Sequence, residues 1–493
     1  MSVIDATRPL EVSVKHFTTR FPWWRVLALG VLLAISLVIS LLLVRVSPLN
    51  PNSTASMIPF LSVWSWAFLP YGVACALVLF SKPSKGRWRW VEIGLIVLGA
   101  LLLRVILIPL PPNLSHDSWR YVWDARVFLH GYSPYVTLPE DQALLPLRDF
   151  IYAYSRFRNA PSLYPPGAEY IFALSYLLVS GSLYFLKDVF LLFDLVSCCV
   201  LAILLTRKGL DPARVLLYAW CPLPIVEFAL QGHVDVLPIT FCLLSVLSAS
   251  NTSYRGRALT GFLIGLATLT KLYPILLLAP LVRWRDWRRD WLLVLTCVLT
   301  IVLGYLPFYI QGHGQIFGFF STYASEQGQN AGVIQLLVAW SGAQFHLALT
   351  TMVTQEHVVA FLLLVGASLA VFLLRQSERI SVESGILVLF GLVLAISSHV
   401  FPWYTTALLP WIVLLLPARN AQRMPVPLFL ARLLLLLAPW VFACVSLLSY
   451  WQDWSTYYAW VYQPLVIELL LAVLIASCYA LRGFWLKGTA REN

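Results

Sequence analysis

Charge is the scarcest thing in this sequence. Asp, Glu, Lys and Arg together supply 12% of the 493 residues, about half the roughly 25% usual in a soluble domain. The hydrophobic fraction is 60% and the mean hydropathy is +0.79, so there is too little polar surface to coat a particle in water. Coiled coils and nucleic-acid domains are excluded on the same ground. The sequence also lacks any glycine-rich strand–loop–helix pattern, which removes a nucleotide-binding αβ domain. Its eight cysteines all lie inside apolar runs with no metal-ligand spacing and no exposed-loop pattern. They read as small buried hydrophobes, which excludes a disulfide scaffold.

Long apolar runs are what the sequence has instead. Trp24–Val46, Val91–Leu110, Trp291–Ile310 and Leu428–Leu448 each approach or exceed the ~20 residues that cross a bilayer core as a helix. The first follows Arg8, Lys15 and Arg20; it is too long for a signal peptide and has no small-residue cleavage site after it, so it is expected as a retained first helix. The chain reads as an all-α polytopic membrane protein, and its net charge of +11 as a topology signal.

Lys and Arg favour the cytoplasmic side of short loops. They cluster at Met1–Arg25, Lys82–Arg89, Arg207–Arg214, Arg255–Arg257, Arg283–Arg289, Arg375–Arg379, Arg419–Arg423 and after Arg482, and are missing from Ser47–Ser56, Gln311–Glu356 and Tyr450–Gln463. Alternation works if three apolar stretches do not span: Gly167–Leu186, broken at Gly181-Ser182; Ala258–Val282, broken at Lys271 and Pro274 into a re-entrant hairpin; and Val333–Thr350. Irregular backbone at membrane depth is tolerated where protein or a water-filled cavity covers it. About twelve spans are then expected, near 25–46, 57–80, 90–110, 188–206, 211–230, 234–250, 291–310, 357–375, 383–400, 403–418, 428–449 and 463–481. The whole of 1–493 is one membrane domain. Residues 1–24 and 482–493 are expected in the cytoplasm, 111–166 forms a large extracytoplasmic loop, and 258–282 is the hairpin.

The loop Pro111–Pro166 is the one long polar stretch, and the same topology carries the Gly232–Asp235 and His399–Tyr404 turns to its side of the membrane. At 3.6 residues per turn, Asp117, Arg120/Tyr121, Asp124 and Val127/Phe128 share one helical face, with Trp119, Trp123 and Arg126 on another. Ser115 is placed to cap that helix, and its aromatic residues suggest an interfacial helix lying on the bilayer. Asp117, a few residues past the third span, is positioned to act as general base toward a hydroxyl. The competing reading is a solvated cap whose acids and arginines pair for structure.

Four blocks carry a resemblance: His116–Tyr135 (HDSWRYVWDARVFLHGYSPY), Ser162–Tyr170 (SLYPPGAEY), Leu216–Pro238 (LLYAWCPLPIVEFALQGHVDVLP) and Gly265–Pro280 (GLATLTKLYPILLLAP), with an echo at His399–Tyr404. In this order they resemble the GT-C membrane glycosyltransferases, most closely the bacterial polyprenyl-phosphate-mannose-dependent mannosyltransferases of glycosyltransferase family 87. The resemblance implies a GT-C-like bundle with re-entrant half-helices and interfacial helices in one large outer loop. It places the family's catalytic Asp at Asp117 and its second acidic position at Asp124. The chain has Cys221-Pro222 where relatives often carry Asn-Pro.

An ionisable residue inside a membrane is a functional candidate by default. Lys271, beside Tyr273, is expected either to bind a lipid phosphate or to pair with Glu227. His233 and Asp235, near Glu227, are expected near the acceptor or as packing residues. A metal on His233, Asp235 and Asp117 finds little support in the spacing, and no cofactor is expected. His399 is expected to face the same cavity and to contact phosphate. Arg120 and Arg126 are each expected at donor phosphate or on Asp124, with the pairing favoured for Arg126, and Arg104 is expected to snorkel outward. The expected activity is inverting transfer of a hexose, mannose by resemblance, from polyprenyl phosphate to a lipid- or glycan-linked hydroxyl. No nucleic acid is involved. Other readings are a lipid or sugar transporter, a different lipid-linked sugar, or a protein acceptor.

Overall fold

The computed structural model describes residues 23–47, 54–325, 330–345, 349–417, 425–451 and 457–489. Most of the expected cytoplasmic N-terminus 1–24, the basic loop Arg419–Arg423 and the last four residues of the tail 482–493 lie outside them. Among the described residues the chain is helical throughout, without strands, as a lipid environment demands: a helix satisfies its backbone within one segment.

The first helices in order are α1 (Trp24–Val46), α2 (Thr54–Phe80) and α3 (Arg87–Val105). In α1, Leu27, Val31, Ile35, Val38 and Leu42 form an exposed stripe at helical spacing while Leu29, Leu33 and Leu43 are buried, so one side meets lipid and the other the bundle. The buried Arg25 joins α1 to α3 through Glu92 at 2.7 Å and to Asp211 at 2.8 Å. Seven helices among the described residues are long and apolar enough to cross a membrane, or eight if the pair Pro212–Ala219 and Pro222–Leu230, bent by 49°, makes one span. Four shorter apolar helices accompany them. The twelve expected spans are therefore matched only in part by length and composition.

Three of the expected elements are interrupted helices. The stretch Gly167–Leu186 divides, as expected, into the helix Pro166–Leu178 and the start of the helix Leu183–Arg207. The run 211–230 is not one straight helix, because Pro222 and Pro224 interrupt it and a wide helical turn, Ile225–Leu230, follows. The hairpin begins with the helix Tyr254–Thr270, 17 residues or about 25 Å of rise, and returns through short turns to Arg283. Asp290 ties both of its ends together, to Arg257 at 2.9 Å and to the Arg283 N–H at 2.7 Å. The chain thus climbs to Lys271 and comes back to the side it left.

Candidate active site

Asp117 is held by a clamp before α4 (Asp117–Leu129) begins. The Gln231 side-chain carbonyl accepts from the N–H groups of Asn113, Leu114 and Ser115 at 3.1, 3.0 and 3.3 Å, while its amide donates to Asn113 Oδ1 at 2.6 Å. Gly232 follows with φ +71°, and Ser118 Cβ lies 3.2 Å from where a Cβ would stand. A left-handed backbone and that close approach both call for glycine. This contact packs the start of α4 on the turn that carries His233 and Asp235. The Asp117 N–H donates to Ser115 Oγ at 3.2 Å, so Ser115 does serve the helix start, although the residue flanking α4 is His116.

α4 is covered on both faces rather than lying bare on lipid. Its residues Ser118–Val127 are buried, because the rest of the loop folds back over it. Trp119 stacks on Tyr154 at 5.3 Å, and Tyr121 stacks on Phe172 at 4.5 Å. Arg120 pairs with Asp124 at 2.7 Å and donates to the carbonyls of Phe157 at 2.7 Å and Ala160 at 3.0 Å. It is a brace between helix and loop. Arg126 pairs with Asp149 at 2.8 Å, not with Asp124 as expected; the two lie on different faces of the helix, and Arg120 at i−4 already occupies Asp124.

Asp117 opens on a cavity of about 790 Å³ that Arg156, Asp235, Lys271, Tyr273 and Tyr404 also line. Asp235 is almost fully buried and Asp117 is only half-buried. Lys271 Nζ is 2.6 Å from Asp235 Oδ1 and 3.7 Å from the centre of the Tyr404 ring. Its partner is Asp235, not Glu227, which instead takes His233 Nδ1 at 2.8 Å and the Tyr450 hydroxyl at 3.1 and 3.2 Å. Arg156 is exposed, and among the described residues no carboxylate lies within ion-pairing distance of it. Removal from water raises the Asp117 carboxyl above its ordinary range; Arg156, a Ser115 hydrogen bond and Lys271 oppose the rise, and Asp235 adds to it. Burial, aided by Arg156, lowers the neighbouring His116 imidazole.

His233 is fully buried and stacks on Trp403 with ring centres 3.8 Å apart. Trp403 lines the cavity and stands next to it. His399 does not reach the cavity wall. Its neighbours Ser397, Ser398 and Phe401 do, and its ring is held between Tyr323 at 4.7 Å and Phe401 at 5.9 Å. Arg104 does not snorkel. It is fully buried, 2.6 Å from Asp194, because an acid one helix away satisfies it inside the bundle. Among the described residues no three His, Cys, Asp or Glu form a metal-ligand cluster: Glu227 holds His233 and Lys271 holds Asp235. Gln231, Arg156 and Tyr404 are the site residues that sequence reasoning passed over. For Gln231 and Tyr404 the signal was proximity to the GHVD and FPWY turns; for Arg156 there was none.

The model of glycosyltransferase family 87 matches residues 163–398, from the end of the loop through the cavity-lining turn before His399. The matched stretch, a little under half of the chain, is similar to that family, and seven helices among the described residues are long and apolar enough to cross a membrane. No curated protein matches it. Among solved structures it is similar to ArnT from Cupriavidus metallidurans, whose crystal structure has undecaprenyl phosphate bound, at 14% identity and a TM-score of 0.43 over 78% of this chain and 77% of that one.

Proposed function

We propose that the protein moves a hexose, mannose, from a polyprenyl monophosphate to a hydroxyl of a lipid- or glycan-linked acceptor on the extracytoplasmic face, with inversion. The observation that carries this reading is the half-buried carboxylate of Asp117 opening on a cavity that also holds the cations Arg156 and Lys271. Much of the remaining wall is apolar, including Leu272, Ile275, Leu276 and Leu364, which suits a prenyl chain better than a nucleotide.

In the reaction, the acceptor oxygen attacks the anomeric carbon while its proton passes to an Asp117 carboxylate oxygen. The bond from that carbon to the phosphate oxygen breaks, and its electron pair leaves with polyprenyl phosphate. A base with a raised pKa holds the proton better than an ordinary carboxylate. Arg156 meets the charge that develops on the leaving phosphate, and the guanidinium fork matches phosphate geometry. Lys271, already neutralised by Asp235, acts as part of a polar wall. On this reading both chain termini are cytoplasmic and no cofactor takes part.

The test is to incubate purified protein with radiolabelled polyprenyl-phosphate hexoses and a membrane extract, then identify the labelled product. Transfer from the mannose lipid to an extractable glycan or lipid is the expected result. Transfer from another sugar lipid alone would overturn the mannose assignment, and labelled protein would overturn the acceptor class. No transfer from any of the lipids would overturn the donor class.

A further inference from the structure

The cavity also holds a polar group that the chemistry above does not use. Asn330, Gln335 and Glu356 line the same cavity as Asp117, among Ala360, Leu364, Val393 and Leu394. Gln335 sits on the helix Val333–Gln344 and Glu356 on the helix Leu349–Gln376. The Gln335 amide donates to Glu356 Oε2 at 2.9 Å. Asn330 is 5% exposed and Glu356 7%, and neither Asn330 Nδ2 nor Glu356 Oε1 has a hydrogen-bond partner among the described residues.

This group is fixed in place. The Asn330 carbonyl accepts from the Val400 N–H at 2.8 Å, and the Gly332 N–H donates to the Ser397 carbonyl at 2.8 Å. A Cβ on Gly332 would lie 2.1 Å from the Leu394 carbonyl oxygen, so only glycine lets the backbone pack this tightly. A buried donor and a buried acceptor left open on one cavity wall are costly and uncommon, and call for a reason.

We infer that Asn330, Gln335 and Glu356 form the acceptor's hydroxyl-binding subsite, taking an uncharged polyhydroxylated group such as a sugar ring. The inference rests on the glycosyltransferase reading and names the acceptor end of its cavity. A hydroxyl both donates and accepts, so the several hydroxyls of one sugar ring can supply a donor to Glu356 Oε1 and an acceptor to Asn330 Nδ2. Both atoms are covered in the free protein, so binding requires their side chains to turn toward the cavity. An anionic group is disfavoured beside Glu356, which distinguishes this cluster from the cation Arg156. A simple cation would satisfy Glu356 but not the Asn330 amide.

The experiment uses the full chain in nanodiscs with n-octyl glycosides of mannose, glucose, galactose and N-acetylglucosamine as probes and n-octanol as the control. Thermal shift and saturation-transfer NMR report binding. At least one glycoside is expected to bind wild type, and its Kd is expected to rise about tenfold or more in Glu356→Gln and in Asn330→Leu, the cost of one good hydrogen bond to a charged or buried partner. Binding of donor polyprenyl-phosphate mannose should be unchanged in both variants, which also shows that they fold. Equal glycoside binding by wild type and variants, no glycoside binding by wild type, or stabilisation by Ca²⁺ or Mg²⁺ in place of a glycoside overturns the subsite. Variants that have lost donor binding as well would make the cluster a structural one, and overturn it too. If wild type binds a glycoside yet transfers no sugar from a lipid phosphate, the donor reading fails and the subsite stands.

Discussion

Lys271 Nζ lies 2.6 Å from Asp235 Oδ1, so the one cation that the sequence places at a break in a membrane hairpin reaches the cavity already paired. Its charge is shared before any phosphate arrives, whereas Arg156 comes from the outer loop with no carboxylate within ion-pairing distance among the described residues. The two cations should therefore contribute unequally to the donor. Arg156→Gln is expected to weaken binding of polyprenyl-phosphate mannose by about tenfold or more, since hydrogen bonds to charged groups contribute ~1.5–3 kcal/mol. The double variant Lys271→Met/Asp235→Leu should keep most of that affinity, because it removes a neutral pair. Equilibrium binding of the labelled lipid decides the matter; a greater loss in the double variant than in Arg156→Gln would return the phosphate to Lys271.

The same arginine sets a pH dependence. Burial raises the Asp117 carboxyl, and Arg156 is the largest of the influences that lower it again. On the proposed mechanism the base must be ionised to work, so activity should be lost as pH falls through the Asp117 pKa, and a raised pKa puts that loss above the ordinary carboxylate range of about 4. Removing the cation takes away stabilisation of the ionised form. The acid limb of kcat/KM in Arg156→Gln should accordingly move to still higher pH, and a limb that stays put or moves down would separate Arg156 from the base.

Sidedness can be read by cysteine labelling. Gln142 and His313 are exposed on segments assigned to the outside, and Arg87 and Arg288 are exposed on segments assigned to the cytoplasm. With the exposed native Cys199 and Cys478 replaced, an impermeant maleimide added outside intact cells should mark single cysteines at Gln142 and His313 only. Labelling at Arg288 would mean that the hairpin crosses after all, in conflict with the closure of its two ends on Asp290.

How much of this was legible beforehand depends on distance along the chain. The membrane class and the apolar helices follow from local composition, and the hairpin from Lys271, Pro274 and the basic residues at both ends. The place of Asp117 at the start of a helix was legible because a short amphipathic stretch follows a span. Pairings were legible only where partners are near in sequence: Arg120 with Asp124 is an i,i+4 pair, as expected. Lys271 with Asp235 and Arg104 with Asp194 bridge 36 and 90 positions, and periodicity carries no information about which helices will touch. For the same reason nothing local to Gln231 showed that its side chain would fix residues 113–115, more than a hundred positions away.

The Arg104–Asp194 pair is a matter of stability. Both side chains are fully buried at 2.6 Å, and Tyr218 donates to the other Asp194 oxygen at 2.8 Å. Removing one member leaves an unpaired charge in the bundle, which typically costs about 3–5 kcal/mol, whereas replacing both with apolar residues of similar size is often nearly neutral. Arg104→Met should lower the melting temperature of the detergent-solubilised protein well below that of Arg104→Met/Asp194→Leu. Equal melting of the single and double variants would show that the pair is not energetically linked.

Asp117 itself bears the most weight. Asp117→Asn keeps the shape and most hydrogen bonds but cannot take the acceptor's proton, and loss of a general base typically costs about 10²–10⁴-fold in rate, or about 3–5.5 kcal/mol of barrier at 1.36 kcal/mol per tenfold. Donor binding should persist, because Arg156 and the apolar walls are untouched. Asp124→Asn is the comparison. Asp124 sits 2.7 Å from Arg120, which in turn holds the loop carbonyls at Phe157 and Ala160, so its loss acts through the loop that presents Arg156. That variant should weaken donor binding and stability while leaving the rate at saturating donor less affected. The measurement is initial rate at saturating donor beside a donor-binding assay for each variant. If Asp117→Asn keeps more than about a tenth of the activity, or Asp124→Asn is the more damaging change at saturation, the base lies elsewhere in the cavity. The buried Asp235, released from Lys271, would then be the next carboxylate to examine.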